Sequence, residues 1–261
     1  MKTKRKLRTT ILVLLLLAVA AAILAPRIKA FYRDISFDWE ERSDAEILVK
    51  EYADAHGLSY SDYPESLIDL LERNPETETF VLEYPLYEET EYDLSEYADS
   101  DSVPLFLQWD QRWGYEIYGS DVIGITGCGP TCLAMVGYYL TGDDSFNPAA
   151  VAAFAEENGY YVKGSGSAWT LISEGGVTLG LQVTEIPLVE SRIVANLEAG
   201  NPIICAMGPG DFTSSGHYIV LVGVENGMLR VNDPNSIANS EALWSYEQIE
   251  SQIRNLWVIQ K

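Results

Sequence analysis

The chain predicts an α+β domain over residues 102–261, and three observations carry that expectation. Helix-compatible segments come first in this region, starting at Cys128, and strand-like runs follow from Pro202 onward. Two of those runs, 217–224 and 229–231, flank Asn226-Gly227, a dipeptide suited to a tight hairpin because both central residues need positive φ. Segregated helices and hairpin-linked strands indicate an antiparallel sheet packed on helices rather than a parallel layout. Hydrophobic residues make up 47% of the 261 positions, ample for a packed core.

Residues 1–33 form a separate amino-terminal segment. Lys2, Lys4, Arg5, Lys6 and Arg8 precede residues 9–25, in which no side chain is charged. Seventeen such residues lie at the short end of a membrane-spanning helix. The positive charge ahead of them predicts a cytoplasmic amino terminus and an extracytoplasmic remainder. A cleaved signal peptide shares the basic start and apolar middle. Pro26 directly after Ile23-Leu24-Ala25 argues against cleavage there, and Ile28-Lys29-Ala30 matches a small-x-small site poorly. The expectation is a single-pass anchor, with a cleaved secretory signal as the alternative.

Residues 34–101 read as an acidic juxtamembrane arm, with 22 acidic and 3 basic side chains. Residues 44–56 have helical apolar spacing at Ile47, Leu48, Tyr52 and Ala55, and stop at Gly57. Residues 63–72 suit a second short helix with Pro64 near its first turn and Asn74-Pro75 beyond it. Phe80-Val81-Leu82 is a third apolar cluster. These stripes look too small for a core of their own, so the arm is expected to dock on the following domain, the alternative being a solvated stalk.

Within residues 102–261 the elements follow in order. Residues 128–140 form a helix closed by Thr141-Gly142. Residues 148–157 form another behind Asn147, a favourable N-cap, and end at Gly159. Residues 167–179 are expected to be helical despite Gly175-Gly176, and residues 189–197 form a helix stopped by Gly200. Strands are expected at 202–207, 217–224, 229–231 and 256–259.

Charge and cysteine content narrow the function. Eight of the 17 basic residues fall in residues 1–33 and all 39 acidic ones come after, so the remainder carries a charge of −30. Nucleic acid is disfavoured as a partner, since its binding needs phosphates neutralised by Lys and Arg. Three cysteines do not make a disulfide framework. Cys128 and Cys132 share a helix face and could pair under oxidation, but no second Cys pair or His cluster completes a zinc site. No metal or organic cofactor is implied.

One constellation carries chemistry. Residues 127–132 read Gly-Cys-Gly-Pro-Thr-Cys and open an apolar helix. A cysteine at a helix start is suited to nucleophilic attack, because unpaired N–H groups and the helix dipole favour a thiolate. His217 follows Ser214-Ser215-Gly216 and begins an apolar strand. The chain holds two histidines, and His56 sits near a helix end in the acidic arm. A symmetric hairpin about Asn226-Gly227 brings residues 232–236 opposite the start of the first strand, so Asp233 can lie beside His217 and orient its ring. Asn232 is an alternative orienting group, and Asp233-Pro234 also suits a simple turn.

These residues bear a resemblance. Residues 103–114 (Val-Pro-Leu-Phe-Leu-Gln-Trp-Asp-Gln-Arg-Trp-Gly), Ile125-Thr126-Gly127-Cys128-Gly129-Pro130-Thr131-Cys132, Gly216-His217-Tyr218 and Val231-Asn232-Asp233-Pro234 resemble the C39-like cysteine peptidases. That family is related to the double-glycine leader peptidases and belongs to the papain-like superfamily. The resemblance spans about residues 103–261, and the stretch from Asn74-Pro75-Glu76-Thr77 to Tyr84-Pro85 resembles what precedes such domains in exported members from Gram-positive bacteria. It implies a papain-like cysteine peptidase fold, with Cys128 as nucleophile, His217 as general base and Asp233 as its partner. Papain-like enzymes place a glutamine six residues before the cysteine, where this chain has Val122; C39-like sequences suggest Gln108 as the oxyanion donor instead. Gln108 equally suits a polar position in an aromatic-rich strand.

The reading that follows is a membrane-anchored, outward-facing thiol hydrolase acting on a peptide or protein substrate through an acyl-enzyme. Acyl transfer to an amine by the same three residues, and a catalytically silent papain-like binding module, are the alternatives.

Overall fold

The structure is a computed structural model that describes residues 42–88, 92–98 and 100–261, together with four isolated helical positions, Ala22, Leu24, Ala25 and Ile28. Most of the apolar run at 9–25, expected to be an anchor, lies outside the described residues. Among the described residues no helix is long and apolar enough to cross a membrane. The chain divides into two compact units, Met1–Pro85 and Leu86–Lys261.

The first unit is helical over its described residues from 42 onward. Helix α1, Asp44–His56, starts at a capping box in which Ser43 and Glu46 satisfy each other's backbone N–H groups, and ends at Gly57 in the left-handed conformation. Helix α2, Glu65–Arg73, follows Pro64, and α3 is the short Glu78–Leu82. The Asn74-Pro75-Glu76-Thr77 stretch is a turn: Asn74 Oδ1 accepts from the Glu76 N–H, and the Thr77 hydroxyl donates to the Asn74 carbonyl. Val49, Ala53, Tyr63, Leu67 and Val81 are fully buried, and the Tyr63 hydroxyl donates to the Leu82 carbonyl at 2.9 Å. The apolar stripes, expected to be too small for a core, thus pack on one another.

The second unit, Leu86–Lys261, takes in the end of the acidic segment. Leu94 is 1% exposed within the main core, with Tyr92 and Tyr97 packed against it. The Tyr138 hydroxyl donates to the Leu94 carbonyl, and Arg112 pairs with Glu96 and Asp110. The end of the acidic segment is therefore strapped onto this unit by apolar side chains and one multiply bonded arginine.

The centre of the unit is a six-stranded antiparallel sheet in the order β5-β10-β6-β7-β8-β9. Its strands are β5 (Gln182–Glu185), β6 (Ile203–Met207), β7 (His217–Glu225), β8 (Met228–Asn232), β9 (Leu243–Trp244) and β10 (Ile253–Gln260). Before them come two small hairpins, β1 (Ile117–Tyr118) with β2 (Asp121–Val122) and β3 (Tyr161–Val162) with β4 (Gly166–Ser167). Helix α4 (Ile123–Thr126) leads through Gly127 into α5 (Cys128–Thr141), followed by α6 (Pro148–Glu157) and later α7 (Glu190–Glu198). Asn147 caps α6 as expected, accepting from the Ala150 N–H at 2.8 Å.

Alternation along the strands builds two cores. Ile204, Ala206, Tyr218 and Val220 face the layer of α5 and α6, whereas Ile203, Cys205, Ile219 and Leu221 face α7 and the chain that carries Trp244 and Ile249. The predicted helix over 167–179 is corrected: Ser167 belongs to β4, and the helical stretch contains a π turn, Leu171–Gly175, before Gly176–Thr178. Gly175-Gly176 coincides with that irregularity. Both small hairpins and β5 were absent from the sequence reading; β5 is an edge strand of mostly exposed side chains and lacks an apolar signature.

Candidate active site

Cys128 is the first residue of α5, an apolar helix whose next ten residues, 129–138, are all buried. Its entry is tight. A Cβ on Gly127 would stand 2.6 Å from the Ile123 carbonyl oxygen, and one on Gly129 would stand 2.6 Å from the Ser167 hydroxyl. Bare glycines on both sides of the sulfur-bearing residue are therefore a packing requirement of the α4–α5 corner. Cys128 is partly exposed, while Cys132 and Cys205 are fully buried, and all three are free thiols. Burial pushes the Cys132 and Cys205 thiols well above the ordinary range. The disulfide considered for Cys128 and Cys132 does not suit the helix. Residues four apart hold their Cβ atoms about 5–6 Å apart, and a disulfide needs about 3.5–4.5 Å.

His217 begins β7, and Asp233 follows the last residue of β8. The hairpin between them is not symmetric. Its turn end pairs Glu225 with Met228 and Gly223 with Arg230, but a bulge at Val222 shifts the register so that Leu221 faces Val231 and Val220 faces Asn232. Continuing that register sets Asp233 opposite Ile219, on the same pleat side as His217. Without the extra residue Asp233 would face Val220 and point to the other side. The His217 Nε2 and Asp233 Oδ1 atoms are 2.7 Å apart. Asp233, 1% exposed, also accepts from the Asn235 N–H at 2.9 Å and from Asn239 Nδ2 at 2.8 Å. Three donors converge on this one carboxylate.

With Nε2 engaged by Asp233, Nδ1 is the ring nitrogen left for Cys128. Burial disfavours the imidazolium, but the charge and hydrogen bond of Asp233, with a further hydrogen bond and charge from Cys128, outweigh it and raise His217 from 6.5 to about 10. Asp233 and Cys128 thus both favour the charged form of His217. Asn232, the alternative orienting residue, is engaged elsewhere. Its amide donates to the carbonyls of Val103 and Pro104 at 3.0 and 3.1 Å and holds that stretch of chain against β8. His56, the other histidine, stacks on Tyr52 at 3.9 Å in the first unit.

Gln108 is brought close to this cluster but not into a bond with Cys128. Its backbone N–H donates to the Pro234 carbonyl, and its side-chain Nε2 donates to the Gly124 carbonyl at 2.8 Å. The residue is 3% exposed, and its Oε1 has no partner among the described residues. Trp109 and Trp113 are structural. Their indole N–H groups donate to the carbonyls of Asn235 and Leu107, and Arg112 covers the Trp113 ring.

Sequence reasoning did not find the supporting residues. Asn239 and Ser240, which bond the side chain and backbone of Asp233, lie on the short helix Ile237–Glu241 capped by Ser236. The Ser236-x-x-Asn239 spacing was the available signal. Ser167 had none. Its hydroxyl meets Tyr118 at 2.8 Å and its carbonyl accepts from Tyr218, the neighbour of His217, at 3.1 Å. It thereby ties the corner of Cys128 to the strand of His217.

A groove of about 530 Å³ opens at Cys128, within the usual size range of ligand sites. One side comes from the β1–β2 hairpin and α4, with Asp121 and Thr126; the hairpin β3–β4 contributes Tyr161 and Ser165, and the loop before β7 contributes Ser215 and Gly216. The loop is anchored by Gln252, which exchanges hydrogen bonds with the Asp211 backbone and side chain, and by Phe212 against Trp244. No side chain of the strap at 92–98 lines the groove. Among the described residues no three His, Cys, Asp or Glu side chains gather as a metal-ligand set.

A partly exposed thiol at a helix start and a carboxylate-bound imidazole thus share one unit of helices packed against an antiparallel sheet. The chain belongs to the Peptidase_C39 like family, whose model matches residues 100–261. Membership points to cysteine peptidase activity. Among solved structures the chain is similar to the peptidase domain of Streptococcus ComA, a bi-functional ABC transporter involved in a quorum sensing pathway. That domain is 22% identical with a TM-score of 0.41, over 52% of this chain and 91% of that one. A C39-like peptidase candidate from Bacillus anthracis is 16% identical with a TM-score of 0.41, over 61% of this chain and 94% of that one. No curated protein matches the chain.

Proposed function

We propose that this protein is a cysteine peptidase or amidase in which Cys128 attacks a peptide carbonyl, His217 moves the protons and Asp233 holds the imidazole. The observation that carries the reading is the 2.7 Å contact between His217 Nε2 and a buried, three-donor Asp233, which leaves Nδ1 for the sulfur. A histidine raised to about 10 holds its proton through the neutral range. The proton of Cys128 passes to the ring, and the thiolate is the attacking species.

The thiolate adds to the carbonyl carbon and the carbonyl electrons move to oxygen. The oxyanion lies by the start of α5, where the Cys128 N–H and the second N–H of Gln108 Nε2 are the available donors. Collapse expels the amine, which takes the Nδ1 proton from His217. Neutral His217 then removes a proton from water, hydroxide adds to the thioester, and the acid leaves as the thiolate–imidazolium pair is restored. Asp233 stays ionised throughout and stabilises the charged ring in each half-reaction.

The basic start and uncharged run at 9–25 support a single-pass anchor with the catalytic unit outside the cytoplasm. The test of the activity is covalent labelling by a peptide aldehyde or acyloxymethyl ketone, with hydrolysis of a fluorogenic peptide pool followed in parallel. Wild type is expected to be labelled at Cys128 and to release products, and Cys128→Ala and His217→Ala to do neither. Labelling undiminished in His217→Ala would reduce Cys128 to an accessible sulfur.

A further inference from the structure

The groove at Cys128 contains one carboxylate and no lysine or arginine. Asp121 lines it at the start of β2, separated from Cys128 by the single turn of α4 and the Gly127 corner. Its Oδ1 accepts from the Val122 N–H at 2.9 Å, which fixes the side chain, and Oδ2 has no bond among the described residues. Around it the wall is rigid. Tyr161 spans the two hairpins, its hydroxyl accepting from the Ser120 N–H at 3.0 Å and meeting the Ser120 hydroxyl at 2.8 Å, over a Gly119 with no room for a side chain. Glu156 reinforces the negative potential just beyond, accepting from the Gly119 N–H at 3.4 Å. Lys163, the one cation of the β3–β4 hairpin, is exposed and forms no ion pair among the described residues. The unit as a whole, residues 86–261, carries 24 acidic and 6 basic side chains, a field that draws cations toward such a cleft.

We infer that Asp121 is a specificity-determining residue that selects peptides carrying a lysine or arginine near the scissile bond. This rests on the groove at Cys128 being the substrate site. The four residues of α4 span about 6 Å, and an extended peptide advances about 3.3 Å per residue. The selected side chain therefore belongs to a residue about two or three positions from the attacked carbonyl. The long, flexible stem of a basic side chain crosses the Ser120 and Thr126 surface and presents its charge to Oδ2. A glutamate at the same position meets both Asp121 and Glu156 and is rejected.

The test separates charge selection from catalysis. Full-length Cys128→Ala protein is titrated with fluorescein-labelled octapeptides of alanine and glycine, each with a single lysine, norleucine or glutamate moved through every position. One lysine position is expected to bind about fivefold more tightly than norleucine there, with glutamate weaker still. The lysine preference should vanish in Cys128→Ala/Asp121→Asn and reverse toward glutamate in Cys128→Ala/Asp121→Lys, while Cys128→Ala/Glu174→Gln, altered at another acidic residue, keeps it. Equal affinities at every position, no binding of any lysine peptide, or a preference that survives Asp121→Asn would overturn the inference. Turnover of the same peptides by wild type judges the peptidase reading separately. Hydrolysis without charge preference removes only the role of Asp121, whereas lysine-selective binding without hydrolysis or labelling removes only the chemistry.

Discussion

Replacing Asp233 by asparagine removes one charge and almost nothing else. In the native site Oδ1 receives His217 and the Asn235 N–H, while Oδ2 receives Asn239 Nδ2. An asparagine can keep its oxygen toward His217 and Asn235 and turn its amide toward Asn239, whose own amide can rotate to accept. The site's shape survives, and the fold should lose only about 1–2 kcal/mol as charged hydrogen bonds become neutral. The effect on the imidazole is larger. His217 stands at about 10 instead of 6.5 because the Asp233 charge and hydrogen bond, with help from Cys128, overcome burial. At about 1.4 kcal/mol per pH unit, losing the larger part of that support removes roughly 3–4 kcal/mol of imidazolium stabilisation. The thiolate–imidazolium population at neutral pH should fall by roughly 10²–10³-fold. The assay is the rate of Cys128 alkylation by iodoacetamide across pH, with peptide mapping to assign the site. Cys132 and Cys205 are buried and do not compete. A folded Asp233→Asn protein with an unchanged alkylation profile would refute the electrostatic account.

Gly127→Ala should lower hydrolysis at least tenfold, with about 1–3 kcal/mol of destabilisation, because the new Cβ meets the Ile123 carbonyl oxygen 2.6 Å away and moves the start of α5; kinetics beside a denaturant melt would show both. Asn232→Ala leaves the buried carbonyls of Val103 and Pro104 without their donor and should cost about 1–3 kcal/mol in urea unfolding, with kcat per folded molecule preserved. The pH dependence follows from the raised histidine. The imidazolium and the stability it contributes are fully present below about 6.5 and are lost as pH rises through about 10, so peptide hydrolysis should persist well above neutrality and decline toward that value. A decline centred near 6.5 would mean that Asp233 does not support the ring.

The parts of the site carried by local chemistry were readable in the sequence. Gly-Cys-Gly-Pro announced a cysteine at a helix start, and the structure begins α5 at Cys128. Asn226-Gly227 announced the hairpin, with Asn226 at φ 52° and Gly227 at φ 79°. The pairing of His217 with Asp233 was anticipated for an incomplete reason. A symmetric hairpin would have turned Asp233 away, and the bulge at Val222 supplies the missing half-period; Gly223, the lone glycine in the run 218–224, is its one mark in the sequence. Charge composition grouped residues 34–101 together, but Leu94, Tyr92 and Tyr97 bind its end to the second unit, and the helices before Pro85 bury one another. Contacts such as Ser167 with Tyr118 and Tyr218, or Gln252 with Asp211, join residues 41 to 51 positions apart. They depend on the completed fold, and no periodicity or motif encodes them.

The most direct measurement is the ultraviolet absorbance of thiolate in the native protein at neutral pH. Burial holds the thiols of Cys132 and Cys205 well above that range, so any signal belongs to Cys128. A thiolate band in wild type that disappears in both Cys128→Ala and His217→Ala is the predicted outcome. No band in wild type, or one that remains after His217 is removed, would contradict a sulfur–imidazole ion pair held by Asp233.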